Sequence, residues 1–395
     1  MAFQLDRYKE VSQVTTAQDS SLGIMSWGIN NAFPQTLINF INQSPNASPA
    51  VDRTKKFYRG QYFEGEDMIV NSSGQTLGQV VTEMALNMAI FKAHSLHTNF
   101  NMKSEVTEIV PLDISDLRFN VFDDLNYASK LGYHPDYGYN SEIKKSVRRM
   151  VTRDSIKWID RFNPSVVEKQ IEKTEGGIAN YKGQVLYYSE TGVSSYPIPP
   201  LQPQINYILA DIENSILARK EANTGFINNY IFKTMWGESD PRLDMLKQAF
   251  EEAQGARGTG SIIALTGLSP EEMNSTVLEE ISCGNGTTGM IESIDKMNEI
   301  CNKAITRAYF IPSVLAGTEQ QTGFSAPDLR DAYFIFNAQT KDGRNAIENS
   351  INRVLKNSVF PIKEIHLQKL TLDEDEFGND TEEKVEDKKI EEDNV

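Results

Sequence analysis

After a polar, irregular opening over residues 1 to 30, apolar positions recur at helical spacing. Phe33, Leu37, Phe40 and Ile41 follow Pro34 and run into the loop Ser44 to Pro49. A second helix is predicted from Pro49 to about Arg59, stopped by Gly60, and a third from Gly78 to Lys92 with Val81, Met84, Ala85 and Met88 on one side. From His94 to Asn126 the period drops toward two, in Ser95 to Phe100 and Leu117 to Phe122, which suits strands. Gln184 to Ile198 reads as a hairpin about Thr191 and Gly192, with Val185, Tyr187 and Tyr196 alternating. The N-terminal half is therefore α+β.

Three helices organise the C-terminal half. The first rises from the proline-marked stretch Tyr196 to Pro203, with Leu201, Ile205, Leu209, Ile212 and Ile216 in one stripe. The second, about Thr288 to Tyr309, carries Met290, Ile294, Met297, Cys301, Ala304 and Ala308. The third opens with Ser325-Ala-Pro-Asp328, a serine cap with a first-turn proline, and its stripe is Leu329, Tyr333, Phe336, Thr340, Ile347, Ile351 and Val354. It reaches about 45 Å if Gly343 does not break it. Between the first two lie a small helix capped by Asp240, a glycine-rich run Gly255 to Gly260, an apolar strand Ser261 to Thr266 and a second strand near Val277 to Ile281. So small an αβ insertion needs neighbouring chains to bury its strand edges.

The 395 residues carry a formal net charge of −16, and the segment 373–395 alone holds twelve Asp/Glu against three Lys. Such a tail is a prescription for disorder, and the body before it is mildly acidic. A protein that grips nucleic acid gathers Lys and Arg to neutralise phosphates, so either DNA is not a partner or it must be kept from sticking. Cys283 and Cys301 form no disulfide framework or zinc motif, which suits a reducing compartment, and no apolar run predicts a membrane span. His94 and His97 fall on opposite sides of a strand, against joint metal ligation, and Asp113, Asp116, Asp123 and Asp124 read as a solvated loop. Gly255 to Gly260 precedes a strand rather than a helix, and Gly284 to Gly289 lacks a lysine and reads as a hinge, so neither is a phosphate loop. No catalytic residue, metal or cofactor is assigned.

The run Cys301-Asn-Lys-Ala-Ile-Thr-Arg-Ala-Tyr-Phe-Ile-Pro-Ser-Val-Leu-Ala-Gly317, followed by Thr322 to Asp328 and a long helix, resembles the C-terminal part of portal proteins of tailed double-stranded DNA bacteriophages. In that family a helix ends in a hydrophobic-Pro-x-x-Leu-x-Gly turn before a polar loop and another long helix. The resemblance spans about residues 196 to 358. It implies an α+β portal fold: a wing over 1–200, stem helices at 201–232 and 286–310, a clip at 233–285 and a tunnel loop within 311–326. A tunnel helix with a wing or crown remnant would occupy 327–365, the crown reduced, and an acidic tail 366–395.

The family architecture further implies a homo-oligomeric ring, a dodecamer, at one capsid vertex of the virion, assembled in the host cytoplasm and without enzymatic activity. Double-stranded DNA would pass through it without sequence preference. Its partners would be the terminase large subunit, then a connector or adaptor protein, and the major capsid or scaffold protein, with no membrane. Glu319, Gln320, Gln321, Thr322, Gly323 and Phe324 would face the DNA. Ile262, Ile263, Leu265, Val277 and Leu278 would make the clip contacts between subunits and with motor or adaptor, and Leu209, Ile212, Ile216, Ile294, Met297 and Cys301 would pack the stem. Two competing classes are a metal-dependent nuclease using Asp113, Asp116 and His97, and a minor capsid or scaffold component that forms no ring.

Overall fold

The computed structural model describes residues 16–28, 31–123, 127–137, 151–192, 196–224, 229–233, 241, 245, 262–265, 278–281, 287–316 and 326–371. The fold is α+β. The opening stretch, expected to be irregular, holds a hairpin of β1 (Thr16–Asp19) and β2 (Ile24–Trp27). Trp27 anchors it, fully buried and stacked on Tyr196 with ring centroids 4.6 Å apart. Three helices follow where the apolar spacing placed them, α1 (Phe33–Gln43), α2 (Ala47–Arg59) and α3 (Leu77–Phe91). A reciprocal box of Thr76 and Gln79 starts α3, which is buried on most sides because α2, the sheet and a later helix all rest on it.

The strands β3 (Ala93–Phe100), β4 (Val106–Leu112), β5 (Leu117–Phe119), β6 (Lys130–Tyr133) and β7 (Lys157–Arg161) come next, then α4 (Val167–Lys173) and β8 (Gln184–Ser189). They build one six-stranded sheet in the order β4-β3-β8-β7-β6-β5, parallel only between β7 and β8. The hairpin expected over Gln184 to Ile198 does not form. Among the described residues β8 pairs with β3 along its whole length and with β7 at Gln184 and Val185, and the Tyr196 ring packs on Trp27 and Phe119 instead of returning along β8 as a strand. Both outer strands are closed from within the chain. Val70 and Asn357 accept from β4, whose Val106 carbonyl takes the Val359 amide, while Gly23 and Ile24 cover the edge continuing from β5.

Residues Tyr207–Lys303 form a second compact unit, the remainder the first. The stem helix expected at 201–232 is shorter: after a turn at Gln202–Gln204, α5 (Ile205–Thr224) ends and Asn229–Lys233 is a strand, β9. Asn-Tyr-Ile-Phe-Lys combines β-branched and aromatic residues that favour a pleated backbone over continued helix. β9 is the centre of a three-stranded sheet, with β10 (Ile262–Leu265) parallel on one side and β11 (Leu278–Ile281) antiparallel on the other. Asp240 and Gly255 to Gly260 lie outside the described residues, as does Val277. The returning helix α6 (Thr287–Ala308) is followed by a short α7 (Ser313–Ala316) and by α8 (Ala326–Leu355). Gly343 does not break α8, whose 30 residues extend about 45 Å.

The segment expected as an acidic tail from residue 366 is described over residues 366–371. From Ser358 the chain turns back along α8 as a strap, with Ile365 and Leu367 buried and His366 exposed between them. Its main chain is held by helix side chains, as detailed below, which period-based reading of Leu367 to Thr371 cannot anticipate.

Candidate assembly and DNA-facing elements

α8 is seated by both apolar and polar contacts in the first unit. Phe57 of α2 packs on Phe336 and Tyr333 with centroids 4.6 and 5.1 Å away. Two turns on from Phe336, Gly343 lets the helix approach so closely that a Cβ there would stand 2.3 Å from Cε1 of Tyr58. Arg344, buried and in no ion pair among the described residues, donates to the Phe57 carbonyl at 3.1 Å and to Oδ1 of Asn337 at 3.3 Å. Ser350 Oγ meets Nε2 of His94 at 2.8 Å, and burial pushes that imidazole down to about 3, so it is neutral in the fold.

The strap is read through its backbone. Asn352 donates to the Ile365 carbonyl at 2.9 Å and accepts from the Ile365 amide at 2.8 Å. Glu348 accepts from the Leu367 amide at 2.8 Å, and Asn337 donates to the Leu370 carbonyl at 2.7 Å. Gln61, just beyond α2, adds a bond to the Gln368 carbonyl at 3.3 Å. The buried polar positions Asn337, Arg344, Ser350 and Asn352 thus favour a single register for α8, since sliding by a turn would break the bond each makes outside the helix, whereas buried Thr340 bonds the Phe336 carbonyl within it. Of these, the apolar stripe predicted only Thr340.

In the second unit α5 and α6 run antiparallel. Asn214 donates to the Ile294 carbonyl at 3.1 Å, and Asp211 lies near Cys301, whose thiol is pushed up by burial and then by that carboxylate. Of the residues expected to pack the stem, Cys301 is buried, Leu209, Ile212, Ile216 and Ile294 are half-buried, and Met297 is exposed. The buried face of α5 instead passes through Ile205, Ile208, Asp211 and Asn214, a rotation of the expected stripe that leaves apolar side chains outward. On α6, Met297 and Ile300 stand exposed one turn apart. Ile262, Ile263 and Leu265 lie on β10 and Leu278 on β11, the two outer strands of the small sheet. Glu319, Gln320, Gln321, Thr322, Gly323 and Phe324 lie outside the described residues.

The candidate enzymatic residues are placed separately. His97, on β3, meets the Lys182 carbonyl at 2.7 Å, while Asp113 precedes and Asp116 ends the turn Ile114–Asp116. Among the described residues no three His, Cys, Asp or Glu side chains are gathered to hold a metal ion. Asp116 is nonetheless perturbed. Burial raises it to about 6, Asp113 and Asp136 add like charge, and a Ser115 bond with the charge of Arg118 opposes the rise. Arg118 is fully buried, with neutral acceptors at the carbonyls of Ser115, Leu117 and Asn31 at 2.7, 2.7 and 2.9 Å and the Tyr137 ring 4.8 Å away. No described helix is long and apolar enough to cross a membrane.

No family model matches the chain, and no curated protein matches it by sequence. Among solved structures it is similar to one from the virion of a native gene transfer agent particle, with 13% identity, 90% of this chain and 87% of that chain covered, and a TM-score of 0.46. It is also similar to one from the neck of such a particle computed with C12 symmetry, at 12% identity, 90% and 88% coverage and a TM-score of 0.44. A third is an HK97 family phage portal protein from Corynebacterium diphtheriae, at 10% identity, 84% and 95% coverage and a TM-score of 0.44.

Proposed function

We propose that this chain is the subunit of a portal-type ring, a structural conduit for double-stranded DNA at one vertex of a virion, with no enzymatic activity. The observation that carries the reading is the excursion between α5 and α6. Two antiparallel helices with outward apolar residues lead to and from a small sheet whose outer strands, β10 and β11, pair only with β9 among the described residues. A lone chain gains little from such elements, whereas copies arranged head to tail cover them. The motif from Cys301 to Gly317, followed by the 30-residue α8, supports the same reading.

In this reading Leu209, Ile212, Ile216, Ile294 and Met297 are covered by the neighbouring copy, and Cys301 packs within the helix pair. Residues Ile262, Ile263, Leu265, Val277 and Leu278 build the surface that meets the next subunit, then the terminase large subunit and later a connector or adaptor protein. The stretch from Glu319 to Phe324 supplies the narrowest, polar contacts to passing duplex. An acidic chain suits that task, because every retained Lys or Arg contact to a phosphate adds attraction that translocation must overcome. Twelve copies, contact with major capsid or scaffold protein and assembly in the host cytoplasm complete the proposal. Negative-stain imaging of the full chain tests it: rings with a central opening are expected, and compact single particles at all concentrations would refute it.

A further inference from the structure

The end of α6 holds an unusual residue. The Phe310 amide donates to the Arg307 carbonyl and the Ile311 amide to the Thr306 carbonyl, both at 3.1 Å, a helix stop in which the penultimate residue turns left-handed and glycine is the usual occupant. Here that residue is Phe310, at φ 54, where a side chain costs roughly 1–2 kcal/mol. Its neighbours Tyr309 and Ile311 are buried, yet Phe310 is 70% exposed, so its ring returns nothing to the isolated chain. Strain of this kind persists where the residue has a task.

A second apolar spot lies in the same unit on the outer face of α8. Phe334 is 72% and Ile335 51% exposed, one turn before exposed Ala338, while Ala332 and Phe336 on the opposite side are buried. Single charges of opposite sign also stand beside the two spots, with exposed Arg330 next to the acid on α8. Arg307 stands exposed one turn before Phe310, and Asp331 exposed one turn before Phe334 and Ile335, with neither in an ion pair among the described residues. Both edges of the six-stranded sheet in this unit are closed by its own chain, so strand addition there is no alternative.

Resting on the ring reading, we infer that Phe310 of one copy packs on Phe334 and Ile335 of the next, with Arg307 set against the neighbour's Asp331. The occupant is a second copy because one chain carries both halves of a complementary contact on two unlike surfaces, as head-to-tail closure requires. At roughly 150–250 Å² per aromatic ring, one ring on each side, the contact supplies about a quarter of the ~800 Å² per partner that a stable interface uses, so it completes other contacts rather than replacing them.

The test uses the full chain, with assembly followed by sedimentation velocity over a dilution series and folding by thermal melting. Phe310→Gly is expected to melt no lower than the parent, because glycine relieves the backbone, yet to need at least about tenfold more protein to assemble. The pair Phe334→Ser with Ile335→Ser is expected to do likewise. Arg307→Asp weakens assembly, and adding Asp331→Arg restores it, which a role confined to folding would not produce. Assembly of the parent together with unchanged assembly of Phe310→Gly and of the α8 pair overturns this contact alone. A parent that stays monomeric overturns the ring reading and this inference with it.

Discussion

Replacing Gly343 with alanine sets two magnitudes of opposite sign against each other. Gly343 lies inside α8 with ordinary helical geometry, so alanine should stabilise the helix by about 1 kcal/mol. The added Cβ, however, would stand 2.3 Å from Cε1, 2.9 Å from Cδ1 and 3.0 Å from Cζ of Tyr58. Carbon atoms sit at about 3.5–4.0 Å, so the ring or the helix must retreat by more than an ångström. Tyr58 is buried and α8 is pinned on either side of Gly343 by Asn337 and Arg344, so neither can move alone, and overpacking of this type costs about 1–3 kcal/mol. Gly343→Ala is therefore expected to destabilise by about 1–2 kcal/mol in equilibrium urea unfolding followed by circular dichroism. With Tyr58→Leu already present the obstruction is gone, and the same alanine should stabilise by up to about 1 kcal/mol. A higher midpoint for the single variant than for the parent, or the same destabilisation in both backgrounds, would refute the claim that close approach to Tyr58 dictates glycine here.

Other outcomes follow from the same geometry. Asn352→Ala strands the Ile365 amide and carbonyl in a buried site and should cost about 2–3 kcal/mol in urea unfolding, with hydrogen exchange at Ile365 and Leu367 accelerated. Asp116, raised from 3.8 to about 6, favours its neutral form in the fold. The contribution of that proton is fully present below pH 4 and is lost as pH rises through about 6. Asp116→Asn should therefore match the parent near pH 3.5 and exceed it at pH 7–8 by about 1 kcal/mol after discounting for solvent screening, measured as the pH dependence of the unfolding free energy. Paired Met297→Ser and Ile300→Ser should leave the melt of the dilute chain unchanged and raise the concentration needed for assembly, read by light scattering. Ile263→Asp or Leu265→Asp should yield soluble chain that forms no ring; rings in micrographs of either variant would remove β10 from the interface.

Local pattern made much of the architecture legible. Helices α1, α2, α3 and α6 fall within a residue or two of the spans their apolar spacing, Pro34, Gly60 and the glycines before Thr287 imply, and α8 runs unbroken as its stripe requires. The opposite facing of His94 and His97 follows from strand period alone, and the two rings meet different partners, Ser350 and the Lys182 carbonyl. Where pattern misled, long-range pairing decided. Gln184 to Ser189 has the alternation of a hairpin arm, but its partner along the whole strand is the distant β3, with β7 joining at Gln184 and Val185. The family resemblance carries a stem helix to residue 232, but Asn229 to Lys233 becomes the centre strand between β10 and β11.

For the candidate assembly elements the division is sharper. Composition and spacing determined that the chain is acidic, that long helices flank a small strand-bearing insertion, and that no dense set of ligating residues exists in sequence, because charge count and periodicity are properties of neighbours along the chain. Only tertiary structure decided which face of each helix is covered. It turned Ile208, Asp211 and Asn214 of α5 inward and left Met297, Ile300, Phe334 and Ile335 outward, since burial depends on partners distant in sequence. It alone also drew the strap from Ile365 to Thr371 onto α8 and bent Phe310 into a left-handed turn, because both rest on backbone hydrogen bonds that side-chain hydrophobicity does not encode.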